Sequence, residues 1–429
     1  MASHGMEEQR FLIQDKTFTA RDPVLQDALA RVYDTPERPR CLCVPGGIEM
    51  YVAKHRQHVA KRMPGTGPQH HATCPSFEPE VGQSGLGELM GESIIERSPE
   101  SFELRVDFPL ARIPGRASVR RAAQEPAEIN VPRHRMSLRA VMHFLFERAG
   151  FNRWTPAMEG KRTQGVLHKY LLEAAEGIRT KGVMLSERLY VPEPFHDERR
   201  SEIAERRRGK LAVLQSLDDG IQFKMALVLG EYKGDEASPL GRKLWLKHMP
   251  DAPLFIDSGA WERIERAYGA LLETRDADTK TRQRVVMGAL IYAKREHTYQ
   301  IDTASLMLTS ENWIPLEGVH EADLIQALTE RRRRFVKPLR YDARSASSFP
   351  NVLLLDTGAK PTPLHVVSAL MDPNERAAKE KALKGEGVVP WVWRTDQPMP
   401  PLPEALRLTT YKAGEQTASS ATGVDVIHD

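Results

Sequence analysis

Cysteine is scarce in this chain: three residues, Cys41, Cys43 and Cys74, among 429. That excludes a disulfide scaffold, and with no export signal in the charged start MASHGMEEQR it points to the cytoplasm. Long apolar runs are lacking too. None approaches the ~18 residues of a membrane span, so no membrane partner is expected. An excess of one charge is also missing: 61 Lys and Arg stand against 58 Asp and Glu, a formal net of +3. A balance so near zero names no partner, and any nucleic-acid reading must rest on local patches. No fixed-period repeat, Ser/His/Asp set or dinucleotide fingerprint is present. The GQSGLG run at Gly82–Gly87 lacks the Gly-Lys-Ser/Thr ending and the strand-to-helix setting of a phosphate loop.

What is present is a clustering of the few cysteines with histidine. All three Cys fall within 34 consecutive positions. On an extended strand Cys41 and Cys43, two apart, would share a face, so both sulfurs could reach one ion. After 26 intervening residues follow His70, His71 and Cys74. Three Cys and one His make a closed, tetrahedral structural zinc set with no position left for catalysis. The expected ligands are Cys41, Cys43, His70 and Cys74, with His71 as the alternative to His70. The segment between them reads as a hairpin with Gly/Pro turns at both ends, carrying His55 and His58 on its surface, though either could replace one of the later ligands.

Turn signals and hydrophobic periodicity divide the chain into five stretches. Residues 1–133 read as a loop-rich β region with the zinc unit at about 36–80. Residues 134–210 read as a helical block, with Ser137 as an N-cap and Gly150 as a stop; helices followed by an extended wing resemble a winged helix. There Lys161 and Arg162 would suit phosphate contact. Residues 211–311 alternate as strands around one helix, an α+β middle domain. Residues 312–396 form a last folded unit, and 397–429 a flexible tail. The fold class expected is α+β and multidomain.

The cleanest basic run lies between Glu330 and Arg344. It holds Arg331, Arg332, Arg333, Arg334, Lys337 and Arg340, a candidate phosphate-binding patch for nucleic acid, DNA foremost. Around it the elements follow an α-β-β-β-α-β order, with Phe349-Pro350 leading into a strand. That order resembles the core of the restriction-endonuclease-like superfamily. In its active members an Asp follows that Pro and a Glu-x-Lys sits on the next strand, holding a divalent metal. Here the corresponding residues are Asn351 and the run Leu364-His365-Val366-Val367, so the resemblance implies the fold without the chemistry. A nuclease would have to use Asp342, Asp356 and Glu330 instead. Trp391 and Trp393 alternate on the final strand and share a face, as core aromatics or as a base-stacking pair.

Over nearly the whole chain, the phrases RCLCVPGGIEMYVAKHRQHVAKRMPGTGPQHHATCPSFEPEVGQSGLGE, VKPLRYDARSASSFPNVLLLDTG and PWVWRT resemble one bacterial family, domain of unknown function 1173. The resemblance implies a mobile-element setting, among genes of integrative conjugative elements, and protein partners from such an element. It implies no activity. The reading that results is a zinc-stabilised, non-catalytic nucleic-acid-associated protein; the alternatives are a divergent metal-dependent nuclease and a scaffold of a transfer complex.

Overall fold

Short strands bounded by turn residues open the chain. In the computed structural model, residues 9–54, 57–98, 100–113, 135–215, 217–218, 222–276, 283–369, 371–385 and 390–406 are described. The elements are a mixture of helices and several sheets, an α+β chain. The described residues divide into two compact units, 9–61 with 404–406, and 62–403.

The first unit is built on β1 (Arg10–Ile13), β2 (Lys16–Thr19), β3 (Arg40–Cys41), β4 (Ile48–Lys54) and β5 (His58–Arg62), in the order β2-β1-β3-β4-β5. Helix α1 (Leu25–Val32) buries Leu25, Ala28, Leu29 and Val32, the i, i+3, i+4, i+7 stripe of an amphipathic helix. Gly46 and Gly47, at φ +80° and +67°, make the turn into β4 that a Cβ-bearing residue would enter only with strain. The predicted hairpin is therefore present as β4 and β5. His55 lies outside the described residues, as does 114–134 at the end of the first predicted stretch.

In the second unit, α2 (Leu138–Arg148) starts where Ser137 Oγ accepts the Ala140 N–H at 3.2 Å. It ends at Gly150, whose φ is +73°. A two-residue strand β6 (Arg153–Trp154) leads to α3 (Gln164–Ala174), capped by Thr163.

The middle stretch forms a closed barrel. Its strands are β7 (Ala226–Ser238), β8 (Gly241–Leu246) and β9 (Leu254–Asp257), then α4 (Ser258–Asp276), then β10 (Gln283–Arg295) and β11 (Thr298–Ser310). β7 pairs β8, β8 pairs β9, and β9 runs parallel to β11. β11 pairs β10, and β10 returns to β7, all antiparallel. The circuit is 1-2-3-5-4-1 with the helix between the third and fourth strands, the Greek-key topology of the OB-fold barrel. Val228, Leu244, Leu246, Leu254, Ile256, Met287 and Ile301 point inward, and α4 adds Trp261 and Ile264 to the same core. The outward Leu227, Leu229, Val286 and Leu290 pack instead with Met142 and Phe144 of α2. Gly288 permits that approach: a Cβ there would stand 2.6 Å from the Met142 sulfur.

The last elements are α5 (Val319–Glu330), β12 (Phe335–Val336), β13 (Val352–Leu354), β14 (Thr362–Val367), α6 (Pro373–Gly385) and β15 (Trp391–Arg394). The sheet runs β15-β14-β13-β12-β6, with β14 and β15 parallel across α6 and the other pairs antiparallel. The expected element order is present, and β6 from the preceding helical stretch adds the fifth strand. Trp393 is buried and Trp391 packs beside it, so both serve this core. Of the predicted tail, residues 407–429 lie outside the described residues. Before them, the Trp391 and Trp393 indoles donate to the Pro401 and Gln397 carbonyls, each at 2.9 Å.

Candidate metal centre and charged clusters

One Sγ or ring-nitrogen atom from each of Cys41, Cys43, His70 and Cys74 lies within 4.8 Å of all the others. The sequence reading placed both first thiols on an extended strand. Cys41 does end β3, but Cys43 stands in the turn that follows, and the turn aims its thiol back toward Cys41. On the other side, His70 closes a 3-10 turn by donating its N–H to the Gly67 carbonyl, and the Cys74 N–H donates to the His71 carbonyl at 2.8 Å. His70 enters the cluster and His71 does not, because the His71 ring turns away to the Thr73 hydroxyl, 2.9 Å from Nδ1. His58 also stays apart, its ring against Tyr33.

The donor set suits zinc. Cys41, His70 and Cys74 are buried, at 0%, 2% and 5% exposure, and none of the three cysteines is in a disulfide. Zinc–sulfur and zinc–nitrogen bonds of about 2.3 and 2.0 Å put tetrahedral ligands ~3.5–3.8 Å apart. Cys74 Sγ and His70 Nδ1 are separated by 3.6 Å. The Ser76 N–H points at Cys74 Sγ from 3.4 Å and the Gln9 amide at Cys41 Sγ from 3.5 Å, the kind of donors that stabilise metal-bound thiolates. All four positions are filled by protein, so a metal here would hold structure and leave no open site for a substrate.

The basic run does not form one surface. Arg331 and Arg332 are exposed, Arg332 adopting φ +56° and pairing with Glu159 at 2.8 Å. Arg333 turns inward, 6% exposed, forks onto both oxygens of Asp356 at 2.7 and 3.0 Å and donates to the Pro403 carbonyl. Lys337 is 1% exposed, its ammonium 2.9 Å from Glu321. Arg334 and Arg340 are half-buried. Lys161 is exposed, but Arg162 is spent on carbonyls, donating to those of Gly150, Phe151, Arg153 and Asn312. Burial pushes its guanidinium down to about 10.

The three carboxylates proposed for a nuclease each have a different partner. Asp356 takes Arg333 and the Arg334 N–H, Asp342 accepts from the Ser137 N–H and hydroxyl at 3.0 and 2.8 Å, and Glu330 accepts from Gln326 at 2.7 Å.

Sequence reading missed a different cluster beside β13 and β14. Asn351, the residue after Pro350, donates its amide to Glu321 Oε1 at 2.5 Å and accepts through Oδ1 from the Val366 N–H and the Lys379 ammonium, at 2.8 and 2.7 Å. Glu321, Lys337, Asn351, His365 and Lys379 are all buried. Burial lowers Lys379 to about 7 and His365 to about 4. One signal was available: Lys379 stands four residues before the buried Leu383, on the same stripe of α6.

No curated protein and no solved structure matches the chain. The family described as protein of unknown function (DUF1173) matches residues 11–396, and the chain belongs to that family.

Proposed function

We propose that this chain is a zinc-stabilised, non-catalytic nucleic-acid-associated protein. The observation that carries the reading is the closed barrel from β7 to β11, because OB-type barrels present a strand face and loops suited to oligonucleotides. Zinc in the Cys41, Cys43, His70 and Cys74 set would supply rigidity by replacing a core that this short, turn-rich segment cannot build.

A lack of chemistry is supported at the C-terminal sheet. There the ammonium groups of Lys337 and Lys379 lie against Glu321 and Asn351, where a metal-dependent nuclease would hold a divalent cation. Asp342, Asp356 and Glu330 serve Ser137, Arg333 and Gln326 separately. The setting in a conjugative element, with DNA as the nucleic acid and element proteins as partners, belongs to the same proposal and is supported by the family resemblance.

Binding of the purified chain to labelled DNA and RNA, measured by fluorescence anisotropy from 50 to 200 mM salt, tests the reading. Affinity should fall with salt along a linear log–log slope. No binding to either polymer at 50 mM salt, or DNA cleavage with Mg2+ that Asp356→Ala abolishes, would overturn it.

A further inference from the structure

Strand alternation fixes what the barrel shows on its β8–β9 side. Leu244 and Leu246 are both 0% exposed and point inward, so Lys243, Trp245 and Lys247 point out. Leu254 and Ile256 are 0% and 2% exposed and inward, so Phe255 points out. Trp245 and Phe255 are half-buried, and neither belongs to a core cluster, although the outward residues of β7 and β10 are packed under α2. The two aromatics are neighbours. Phe255 sits directly opposite Lys243, two residues from Trp245 on the same face. Opposite Trp245 on β7 stands Gly234, which puts no side chain beside the indole and leaves its flank open.

Cations border this pair. Lys243 and Lys247 are 38% and 46% exposed and lean on Glu236 and Glu231, each at 3.2 Å. The exposed Lys243–Glu236 pair is weak and exchanges readily for phosphate, while Glu231, 14% exposed, keeps Arg284 if Lys247 turns to another anion. Lys233, at the bulge in β7, is exposed as well. Aromatics left out of every core, on a flat strand face with lysines on both sides, match what an unpaired strand offers: bases with π faces and a phosphate every nucleotide. A duplex hides its base faces, and protein–protein interfaces are depleted in lysine relative to the rest of a surface.

We infer that the outer face of β8 and β9 is a binding platform for single-stranded nucleic acid, with Trp245 and Phe255 stacking on bases and Lys243 and Lys247 meeting phosphates. The inference rests on the proposed nucleic-acid role and assigns it a face and a ligand class.

The test uses the full chain and a fluorescein-labelled oligothymidine of about 12 nucleotides, within the span one such barrel covers. Trp245→Ala and Phe255→Ala should each weaken binding about tenfold, with circular dichroism unchanged, and Trp245→Phe should stay within about threefold of the parent. An abasic oligomer with the same number of phosphates should bind about tenfold more weakly than oligothymidine. Lys243→Gln with Lys247→Gln should reduce the salt slope by about 1–2. Folded alanine variants that bind like the parent, or equal affinity for the abasic oligomer, would overturn the platform while leaving nucleic-acid association standing. Duplex bound as tightly as the single strand would overturn the ligand class. Failure to bind any nucleic acid would overturn both inference and proposed role.

Discussion

Two buried polar centres in this chain solve the same problem in opposite ways. The Cys/His cluster gathers three sulfurs and a ring nitrogen within 4.8 Å, a donor set suited to an ion brought from outside. The cluster under β13 and β14 gathers a carboxylate and an amide and brings its own cations, Lys337 and Lys379, at 2.9 and 2.7 Å. A buried donor set must be neutralised or it costs several kcal/mol. A metal ion would complete the first as thiolates, and the second is complete as folded. The difference separates a centre fitted to an external ion from one that depends on pH and on the integrity of its own side chains.

The largest effect should come from depriving the first centre of its ion. The wild-type chain should carry one zinc, read by elemental analysis. Cys41→Ser with Cys43→Ser should release it and cost several kcal/mol, since structural zinc contributes folding free energy outright. A metal-free wild type that melts cooperatively, unaltered by a chelator, would break the comparison. The second centre should ignore the chelator.

Next in size is the loss of an internal cation. Lys337→Met leaves Glu321 in place, 5% exposed and without its ammonium, and should cost ~3–5 kcal/mol in urea denaturation. Adding Glu321→Gln removes the stranded charge and should recover most of that loss. If the single variant proves as stable as the parent, Lys337 is not the cation that completes the site.

These contrasts also mark what the sequence made legible. Alternation in FKMALVLGEY and RVVMGALIYAKRE located the barrel strands, but nothing local announces that β10 returns to β7 or that β9 lies parallel to β11, because those pairings join residues 45–65 apart in the chain. The candidate metal-binding residues were legible because their spacing is short, and the choice between His70 and His71 was not, since it turns on a hydroxyl at Thr73. The basic run misled. A string of arginines looks like surface until Arg333 meets Asp356, 23 residues on, and Lys337 meets Glu321, 16 residues back. Burial of a cation is decided by the carboxylate across the fold.

A smaller effect should appear with pH. Burial, followed by the field of Arg340, lowers Lys379 from 10.5 to about 7. Between those values the unfolded chain binds more protons than the folded one, so stability should rise as pH climbs from about 7 toward 10.5 and be flat below. In Lys379→Met that component should vanish, so the variant's melting temperature should climb less from pH 7 to 9.5. An identical pH profile for both proteins would show that the lysine is not held against its charge.

The smallest change in stability should belong to the exposed end of the basic run. Arg331 and Arg332 sit in water, and the Arg332–Glu159 pair is more than 60% exposed on both sides, so Arg331→Ala with Arg332→Ala should shift the unfolding free energy by no more than ~0.5 kcal/mol. Arg333→Ala strands Asp356 and should cost clearly more. Binding should rank the three differently. If the exposed pair meets phosphates, its loss lowers the salt slope by up to about 2, because each phosphate contact contributes about 0.9 to the slope, while Arg333→Ala leaves the slope alone. Charge turned outward and charge turned inward would then separate on two independent readouts, and a double variant that leaves the slope unchanged would confine phosphate contact to the barrel face.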